Sequence, residues 1–448
     1  GEPWAGVVGL RFTDDGQRLF AWEREGRVWI IDASDPVPDA FIDLREEVLA
    51  WRDHGLLGFA LDPAFRANGY VYLLYAVDRH HLESCSEPPS GTGPPQCGPG
   101  YDPEFSILEN RATIGRLTRY RAVRPAGAAD YASATSVEYD SRTVLFGETR
   151  QSACPIIYST HGIGSLAFGR DGTLLAGCGD SAAVGVADAG NRGQTAFREA
   201  LSEGLIRPEE NVGAFRSQMV NSHSGKILRL DPLTGDGVPG NPFFDSANPR
   251  SPASRVWALG VRNPYRMTFR PGTGSLDPAD ADPGVLYLGD VGWVTWEDFH
   301  VVQTGGQNLG WPLFEGIQEQ PDYVAVSPEH PEAPNPLAGS EPDCGANFNF
   351  ADLIRQASRA ASQRWPNPCV PSEDIDTVPV FLHSAPLLDW RHEIAETRSP
   401  GYAADGELVI VSLGEPGPDG TRIAGVPFAG NTSTAGTWYL GNDFPATY

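Results

Sequence analysis

The chain has 448 residues, a formal net charge of −25, 51 glycines and 39 prolines. The acidic balance argues against nucleic acids and anionic membrane surfaces as partners, and it is compatible with neutral sugars, cationic partners or divalent cations. No apolar run approaches the roughly 18 residues of a membrane-spanning helix, so we predict that the chain does not cross a membrane.

One unit recurs along the chain: an apolar strand, a turn containing Asp, Asn or Gly, and a second apolar strand. It occurs within residues 8–22, 57–75, 161–180 and 265–290. Asp-Gly or Asn-Gly between two apolar runs is a strong signal for a β-hairpin. Hairpins that repeat at irregular periods above about 40 residues predict an all-β fold, a β-propeller whose loops on one face supply the functional site.

We predict a single propeller domain over residues 1–448 with little helix, and the best helix candidates are 196–204 and 347–363, both inside irregular insertions. The insertions are predicted near residues 79–112, 181–220 and 317–380.

The two ends of the chain carry further signals. The first residues, beginning at Gly1, have the character of a mature N-terminus after processing. The last eleven, Trp438 to Tyr448, read as the opening of another strand pair without its partner. Because an unclosed propeller exposes strand edges, we expect a longer natural chain, or a separate C-terminal fragment, to supply the missing closing strands.

Six cysteines fall into three pairs that are local in sequence, and none has the C-x-x-C spacing of a zinc site. Local pairing predicts the disulfides Cys85–Cys97, Cys154–Cys178 and Cys344–Cys369. Cys178 lies on a predicted inner strand, which leaves a buried free thiol as the alternative for that pair. Disulfides predict an oxidising compartment, so we expect a secreted or periplasmic protein.

The hairpin at residues 161–180 carries the most informative pair of side chains. It begins at His161, turns at Asp171-Gly172 and ends at Asp180. A hairpin brings its two far ends together, so His161 and Asp180 should meet at one edge of the sheet. A carboxylate beside an imidazole fixes its tautomer and raises its basicity, as a general base requires. A surface histidine next to a turn aspartate remains the alternative from the residues alone.

Six motifs together resemble the soluble pyrroloquinoline-quinone (PQQ) sugar dehydrogenases, the glucose/sorbosone dehydrogenase family. They occur in the order of that family and span most of the chain. In sequence they are GLLGFALDP at 55–63, the hairpin at 161–180, SGKILRLDP at 224–232, ALGVRNPYR at 258–266, GDVGWVTWE at 289–297 and NLGWPLFEG at 308–316. The resemblance implies a six-bladed propeller in which the quinone lies flat over the central channel.

The resemblance also implies three catalytic roles. His161 matches the general base that takes a proton from the anomeric hydroxyl of the sugar, and Asp180 matches the carboxylate that orients it. Arg262 matches the arginine that stabilises negative charge on the quinone oxygen as the hydride arrives. Such a site leaves the difficult chemistry to the cofactor.

Four further residues match positions that bind the cofactors. Asn263, like Arg262, matches a quinone contact, and the backbone carbonyls of Gly292 and Trp293 match the site of the calcium that anchors and polarises the quinone. Asp53 stands where the family usually has a glutamine that contacts sugar and quinone. Its negative charge approaches an anionic cofactor, so calcium, Arg52 or a protonated His54 would have to compensate.

The resemblance therefore implies an enzyme, an extracytoplasmic PQQ- and calcium-dependent dehydrogenase. Its substrate would be an aldose sugar or related polyol, and an unidentified electron acceptor would reoxidise the quinone. The alternative is a non-catalytic propeller of the same family that serves as an extracellular interaction or structural module. Calcium-dependent lactone hydrolysis fits less well, because it needs a ring of carboxylates and asparagines around a central metal.

Overall fold

The computed structural model describes residues 6–360, 364–438 and 440. Strands dominate, which confirms the all-β prediction, and four large sheets follow one another along the chain. The first sheet is a simple antiparallel meander in which each strand pairs with the next. Its strands are Val7–Phe12 (β1), Arg18–Glu23 (β2), Arg27–Asp32 (β3) and Asp35–Asp43 (β4).

The second sheet continues the pattern with one interruption. Its strands are Leu56–Leu61 (β5), Tyr70–Ala76 (β6), Thr113–Ala122 (β9), Val137–Phe146 (β10) and Cys154–Ile156 (β11). Between β6 and β9 the chain forms a separate small pair, Cys85–Ser86 (β7) with Gln96–Cys97 (β8). The third sheet consists of Ile163–Phe168 (β12), Leu174–Cys178 (β13), Lys226–Leu230 (β14) and Val256–Leu259 (β15).

The fourth sheet has six strands and contains the longest insertion. It begins with Pro264–Phe269 (β16), Leu286–Asp290 (β17) and Trp296–Val302 (β18). Three small pairs follow, Phe314–Glu315 (β19) with Gln318–Glu319 (β20), Glu329–Pro334 (β21) with Asn347–Asn349 (β22), and Ile354–Arg355 (β23) with Phe381–Leu382 (β24). Leu388–Arg391 (β25), Thr397–Tyr402 (β26) and Leu408–Ser412 (β27) complete the sheet.

The helices are short and lie between strands. The α-helices are Phe65–Asn68 (α1), Arg79–Ser84 (α2), Phe197–Ser202 (α3), Pro252–Arg255 (α4) and Pro321–Ala325 (α5). The 3-10 turns are Arg150–Ser152, Pro208–Glu210, Gly213–Gln218, Pro278–Asp280 and Phe350–Asp352. None of the helices in the described part of the chain combines the length and the apolar character that a membrane crossing requires.

The first strand of each sheet lies on the inside of the molecule. Strand β12 contacts β5 on one side and β16 on the other, and β5 contacts β1. The guanidinium of Arg266 on β16 donates to the carbonyl of Val8 on β1 at 2.7 Å, which links the fourth sheet back to the first. The four inner strands thus surround a common axis, and the sheets extend outward from it as propeller blades do. The expected total of six blades stays a prediction.

Side chains that point alternately to the two faces of each strand explain how neighbouring sheets pack against each other. On β6, Leu73 and Tyr75 pack with the first sheet, whereas Tyr72 and Leu74 face the third. On β13, Leu175 turns toward the fourth sheet. Successive strand residues point to opposite faces, so a strand buried on both faces is apolar throughout. The cores therefore lie between sheets.

The predicted insertions leave the sheets uninterrupted. Residues 79–112 lie between β6 and β9, residues 181–220 between β13 and β14, and residues 317–380 between β18 and β25, and each of these strand pairs is hydrogen-bonded. The three predicted disulfides are all present, including Cys154–Cys178, so Cys178 is not a free thiol.

One helix prediction is right and the other is wrong. Helix α3 lies within the predicted 196–204. In the described part of 347–363, residues 347–360, the chain forms two short strands and a 3-10 turn instead. Phe350 packs into one apolar cluster, with Trp311 and Tyr323, whereas Phe348 and Leu353 pack into another. The apolar face of a single helix packs against one core, so a helix here could not place these side chains in two separate cores.

The inner strands β12 and β16 pack almost backbone to backbone. A methyl group on Gly164 would overlap the carbonyl oxygen of Pro264, which is rigid backbone. Glycine is therefore required here for space, because the close approach of the two strands leaves no room for a side chain.

We expect Gly164→Ala to lower the free energy of unfolding by roughly 1–3 kcal/mol, because overpacking against backbone forces the inner strands apart. Gly193→Ala is the matched control, since a methyl group there meets no atom within 4 Å. Guanidinium denaturation with the disulfides intact measures both. Equal stability of the two variants would contradict the close packing of β12 on β16.

Candidate functional site

The hairpin of β12 and β13 brings its two ends together. The amide of Ser181 donates to the carbonyl of His161 at 3.0 Å, and the His161 Nδ1 lies 3.0 Å from the Asp180 Oδ1. Both side chains are buried. An ionised carboxylate only accepts hydrogen bonds, so Nδ1 carries the hydrogen and Nε2 is left with its lone pair. The predicted contact is therefore present in the structure.

The charge states of this pair suit a general base. Burial, reinforced by the positive charge of Arg262, lowers the pKa of His161 below its usual value. Burial alone would raise the pKa of Asp180, but its hydrogen bond with His161 and the charge of Arg262 hold it below the usual value. At neutral pH the pair is thus a neutral imidazole and a carboxylate.

Trp311 completes the hydrogen bonds of Asp180. Its indole N–H donates to the Asp180 Oδ2 at 2.7 Å, while the amide of Ala182 donates to Oδ1 at 3.0 Å. Both carboxylate oxygens are therefore occupied, which fixes the plane that His161 meets. The Trp311 ring also lies beneath the guanidinium of Arg262, with Cζ 5.5 Å from the ring centroid. One side chain thus contacts both the carboxylate and the arginine of the predicted site.

Two buried cations support the backbone beside Asp180. The guanidinium of Arg216 donates to the carbonyl of Asp180 at 2.9 Å, and to that of Ser181. Lys226, the only lysine of the chain, donates from Nζ to the carbonyls of Arg216, Ser217 and Ser224 at 3.0, 2.9 and 2.7 Å. Three acceptors need three N–H bonds, so this geometry favours the ammonium form, although burial lowers the pKa of Lys226.

Arg262 and Asn263 lie just before β16 and are held by one carboxylate. Asp290 accepts the backbone N–H of Arg262 at 2.9 Å and that of Asn263 at 2.7 Å. Burial raises the pKa of Asp290 to about 7, against the effect of these two donors. The Arg262 guanidinium donates to the carbonyls of Val291 at 2.9 Å and Gly292 at 2.5 Å.

Two glutamates hold the loop that contains Gly292 and Trp293. Glu297 accepts the amide of Gly292 at 3.0 Å. One oxygen of Glu315 accepts four successive amides, those of residues 293–296, at 2.7 to 3.2 Å. The backbone of this loop is therefore fixed by carboxylates behind it.

The residues around Gly292 do not fit calcium as they are arranged. The Gly292 carbonyl, expected to bind the metal, already accepts a hydrogen bond from the Arg262 guanidinium. Calcium prefers six to eight oxygen ligands, and a divalent ion here would meet a guanidinium cation on its own ligand. The nearby carboxylates of Asp290, Glu297 and Glu315 are engaged by backbone amides. The calcium site at Gly292 and Trp293 stays a prediction from the resemblance.

His161 opens onto a cavity of about 360 Å³ at the beginning of the inner strands. Asp53 and Asn263 line it together with Arg24 and Arg52, and their predicted contact with the quinone stays a prediction. The Arg262 guanidinium does not line it; Val291, whose carbonyl it binds, does. The cavity is within the usual size range for small-molecule sites.

The cations that line the cavity with Asp53 are arginines, whereas His54 is neutral. His54 is buried, its Nε2 lies 2.9 Å from the carbonyl oxygen of Tyr158, and burial lowers its pKa, so it is neutral at pH 7. Arg24 and Arg52 line the same cavity as Asp53 and bring two positive charges. Arg24 also donates to the carbonyl of Arg52.

Sequence reasoning missed Trp311 and Arg24. Trp311 lies 131 residues from the carboxylate it contacts, and Arg24 belongs to the turn between β2 and β3. The GWP segment of the 308–316 motif was the available signal for Trp311. No local pattern marks Arg24, because a single arginine in a turn has no distinguishing spacing.

The family model for glucose/sorbosone dehydrogenase matches residues 2–87 and 128–345, more than half of the chain. The chain belongs to the glucose/sorbosone dehydrogenase family. This confirms the resemblance seen in the motifs.

Individual relatives of the family are distant. The HIPL2 protein of Arabidopsis thaliana is 26% identical over 318 residues, which cover 68% of this chain and 40% of that protein. Quinoprotein glucose dehydrogenase B of Acinetobacter calcoaceticus is 24% identical over 271 residues, 60% of this chain and 42% of that protein. The chain thus spans about two fifths of the length of these relatives. The solved PQQ-bound aldose sugar dehydrogenase of Streptomyces coelicolor has 18% identity and a TM-score of 0.41, with 92% of this chain and 81% of that chain covered.

We expect Trp311→Phe to lower the free energy of unfolding by about 1–3 kcal/mol, because it leaves one oxygen of a buried carboxylate without a donor. Trp293→Phe is the matched control. Its ring also contacts Tyr323, but its indole N–H has no partner among the described residues. Thermal unfolding at pH 7 compares the two variants. An equal loss in both would show that only ring packing matters.

Calcium should not stabilise the wild-type protein through Gly292, because the positive charge of the Arg262 guanidinium lies on that carbonyl and repels the ion. In Arg262→Ala the carbonyls of Val291 and Gly292 lose this donor, and calcium should then raise the melting temperature more than it does in wild type. Thermal unfolding with millimolar calcium, and with a chelator, gives the comparison. A larger rise in wild type would mean that the guanidinium yields to the metal.

Proposed function

We propose that this chain forms the catalytic part of a secreted or periplasmic dehydrogenase that oxidises an aldose sugar or related polyol with PQQ as hydride acceptor. The observation that carries the proposal is the His161–Asp180 pair, whose free imidazole nitrogen opens onto a cavity flanked by guanidinium groups. Membership of the glucose/sorbosone dehydrogenase family supports the substrate class. The three disulfides support an oxidising compartment.

The charge and polarity of several cavity residues support an anionic ligand such as PQQ. Arg24 and Arg52 provide cationic contacts for carboxylates, and the Asn263 side chain provides polar ones. Asp53 opposes this binding with a like charge. When bound, PQQ would supply an electrophilic quinone carbon that accepts a hydride.

The chain's own residues would move the proton. The neutral His161 accepts the hydroxyl proton of the sugar at Nε2 as the hydride leaves carbon, and Asp180 stabilises the imidazolium that forms. Trp311 and Ala182 keep the carboxylate in place, so the imidazole does not have to reorient during the reaction. Arg262 adds positive charge behind the cavity wall.

A second candidate is a non-catalytic module of the same family. The carboxylate of Asp53 in the cavity favours it, because it weakens the binding of an anionic cofactor. The electron acceptor is a partner that we propose on the resemblance alone.

We expect His161→Ala to reduce PQQ-dependent dye reduction with glucose by about 10²–10⁴-fold, the usual cost of removing a general base. His80→Ala is the control, because His80 stacks on Tyr101 far from the pair in sequence and outside the cavity. The wild-type rate should fall only below about pH 6.5, since the pKa of His161 is lowered and its protonation blocks catalysis. Unchanged activity of His161→Ala would favour the interaction module.

We expect Asp53→Asn to tighten PQQ binding roughly fivefold or more, because a like charge about 4 Å away costs on the order of 1 kcal/mol even in water. Asp39→Asn, at an exposed position on β4, changes the net charge equally without touching the cavity. Equilibrium titration of each protein with PQQ, followed by absorbance, measures the affinities. If wild type binds no PQQ and Asp53→Asn does, the natural protein has specialised away from the cofactor.

A further inference from the structure

A second, larger cavity lies at the other end of the inner strands. It has a volume of about 780 Å³ and is lined by the later residues of β1, β5, β12 and β16 and the turns that follow them. Trp22 of β2 and the segment with Thr434, Gly436 and Thr437 also line it. The first cavity is lined by residues at the start of three of these strands, including Leu57, Ile163 and Tyr265. The two cavities therefore open at opposite ends of the channel between the inner strands. The second cavity has no part in the site described above.

The rim of the second cavity is basic, although the chain carries 58 acidic and 33 basic residues. Arg11, Arg170, Arg266 and Arg270 line it, against the two aspartates Asp14 and Asp62. Asp62 is engaged by the hydroxyl of Tyr72 at 2.9 Å.

None of the four arginines has a carboxylate partner among the described residues. Arg266 donates only to backbone carbonyls, and the Arg170 guanidinium donates to the carbonyl of Gly272 at 3.2 Å. Arg11 and Arg270 are exposed at the rim. Guanidinium groups form charge-assisted, often bidentate bonds with carboxylate, sulfonate or phosphate groups. Positive charge without an internal partner is thus available to a ligand.

Apolar side chains form part of the wall of this cavity, beside polar groups such as Ser165 and Thr268. Its walls include Trp22, Phe59, Leu166, Phe168, Met267 and Phe269. Contact with aromatic and aliphatic side chains favours a ligand body that loses water on binding. Apolar wall residues next to a guanidinium rim match a molecule with an apolar body and one anionic end.

We propose that this end of the channel binds a small amphipathic anion, with an aromatic or aliphatic body between the inner strands and an acidic group on Arg11 and Arg270. The proposal does not depend on the dehydrogenase chemistry, since the two cavities share no lining residue.

The test uses 8-anilinonaphthalene-1-sulfonate as the probe, because its fluorescence reports entry into an apolar site. The double variant Arg11→Gln/Arg270→Gln should weaken its binding about tenfold, through loss of charge-assisted contacts. Arg124→Gln/Arg422→Gln, two exposed arginines away from both cavities, is the matched control and should bind as wild type does. N-phenyl-1-naphthylamine, the analogue without the sulfonate, should bind wild type and the double variant equally.

Three results would overturn the proposal. The first is unchanged sulfonate binding in Arg11→Gln/Arg270→Gln with an unchanged melting temperature. The second is an equal loss in the control pair, which would indicate a general charge effect that salt screens. The third is a similar loss in Arg24→Gln/Arg52→Gln, which would place the probe in the first cavity.

Discussion

The close packing of β12 against β16 is the constraint on which the rest of the structure depends. Because Gly164 has no side chain, the two inner strands approach almost to backbone contact. His161 lies immediately before one of these strands, and Arg262 and Asn263 lie immediately before the other. The base and the arginine loop are therefore attached to one rigid frame. Both cavities also take their walls from these strands, so the same contact sets the width of the channel at each end.

Buried carboxylates shape the candidate site by accepting hydrogen bonds from backbone amides. Asp290 fixes the amides of Arg262 and Asn263, and Glu315 fixes four amides of the neighbouring loop. The pKa values of Asp180 and Asp290 differ because their surroundings differ. Asp180 faces His161 and Arg262 and keeps a low pKa, whereas burial raises the pKa of Asp290 to about 7. Asp180 is thus a carboxylate that orients His161, whereas Asp290 is a titratable group that holds the backbone amides of Arg262 and Asn263.

The sequence predicted what is encoded locally. The contact between His161 and Asp180 follows from one hairpin with an Asp-Gly turn, and the disulfides join cysteines 12 to 25 residues apart. The all-β class followed from repeated hairpins. What depends on distant contacts was not predictable. Trp311 reaches Asp180 across 131 residues, and the neutrality of His54 results from burial, which spacing does not reveal.

The failed helix at 347–363 has the same origin. Its composition suits a helix, but its aromatic residues belong to two different cores, and that division is set by the packing of the long insertion around Trp311 and Trp365. Intrinsic propensity is a weak preference that tertiary packing overrides. The blade number also depends on how many sheets close around the axis, which no single motif encodes.

The burial of Lys226 has a consequence for the chemistry of the surface. As the only lysine, it holds three carbonyls inside the protein, so every positively charged side chain on the surface, apart from any protonated histidine, is a guanidinium. Reagents and enzymes that acylate lysine amines find no exposed side chain to modify in the folded protein. The surface also keeps its positive charges at pH values where a lysine-rich surface would lose them, because arginine does not deprotonate in that range.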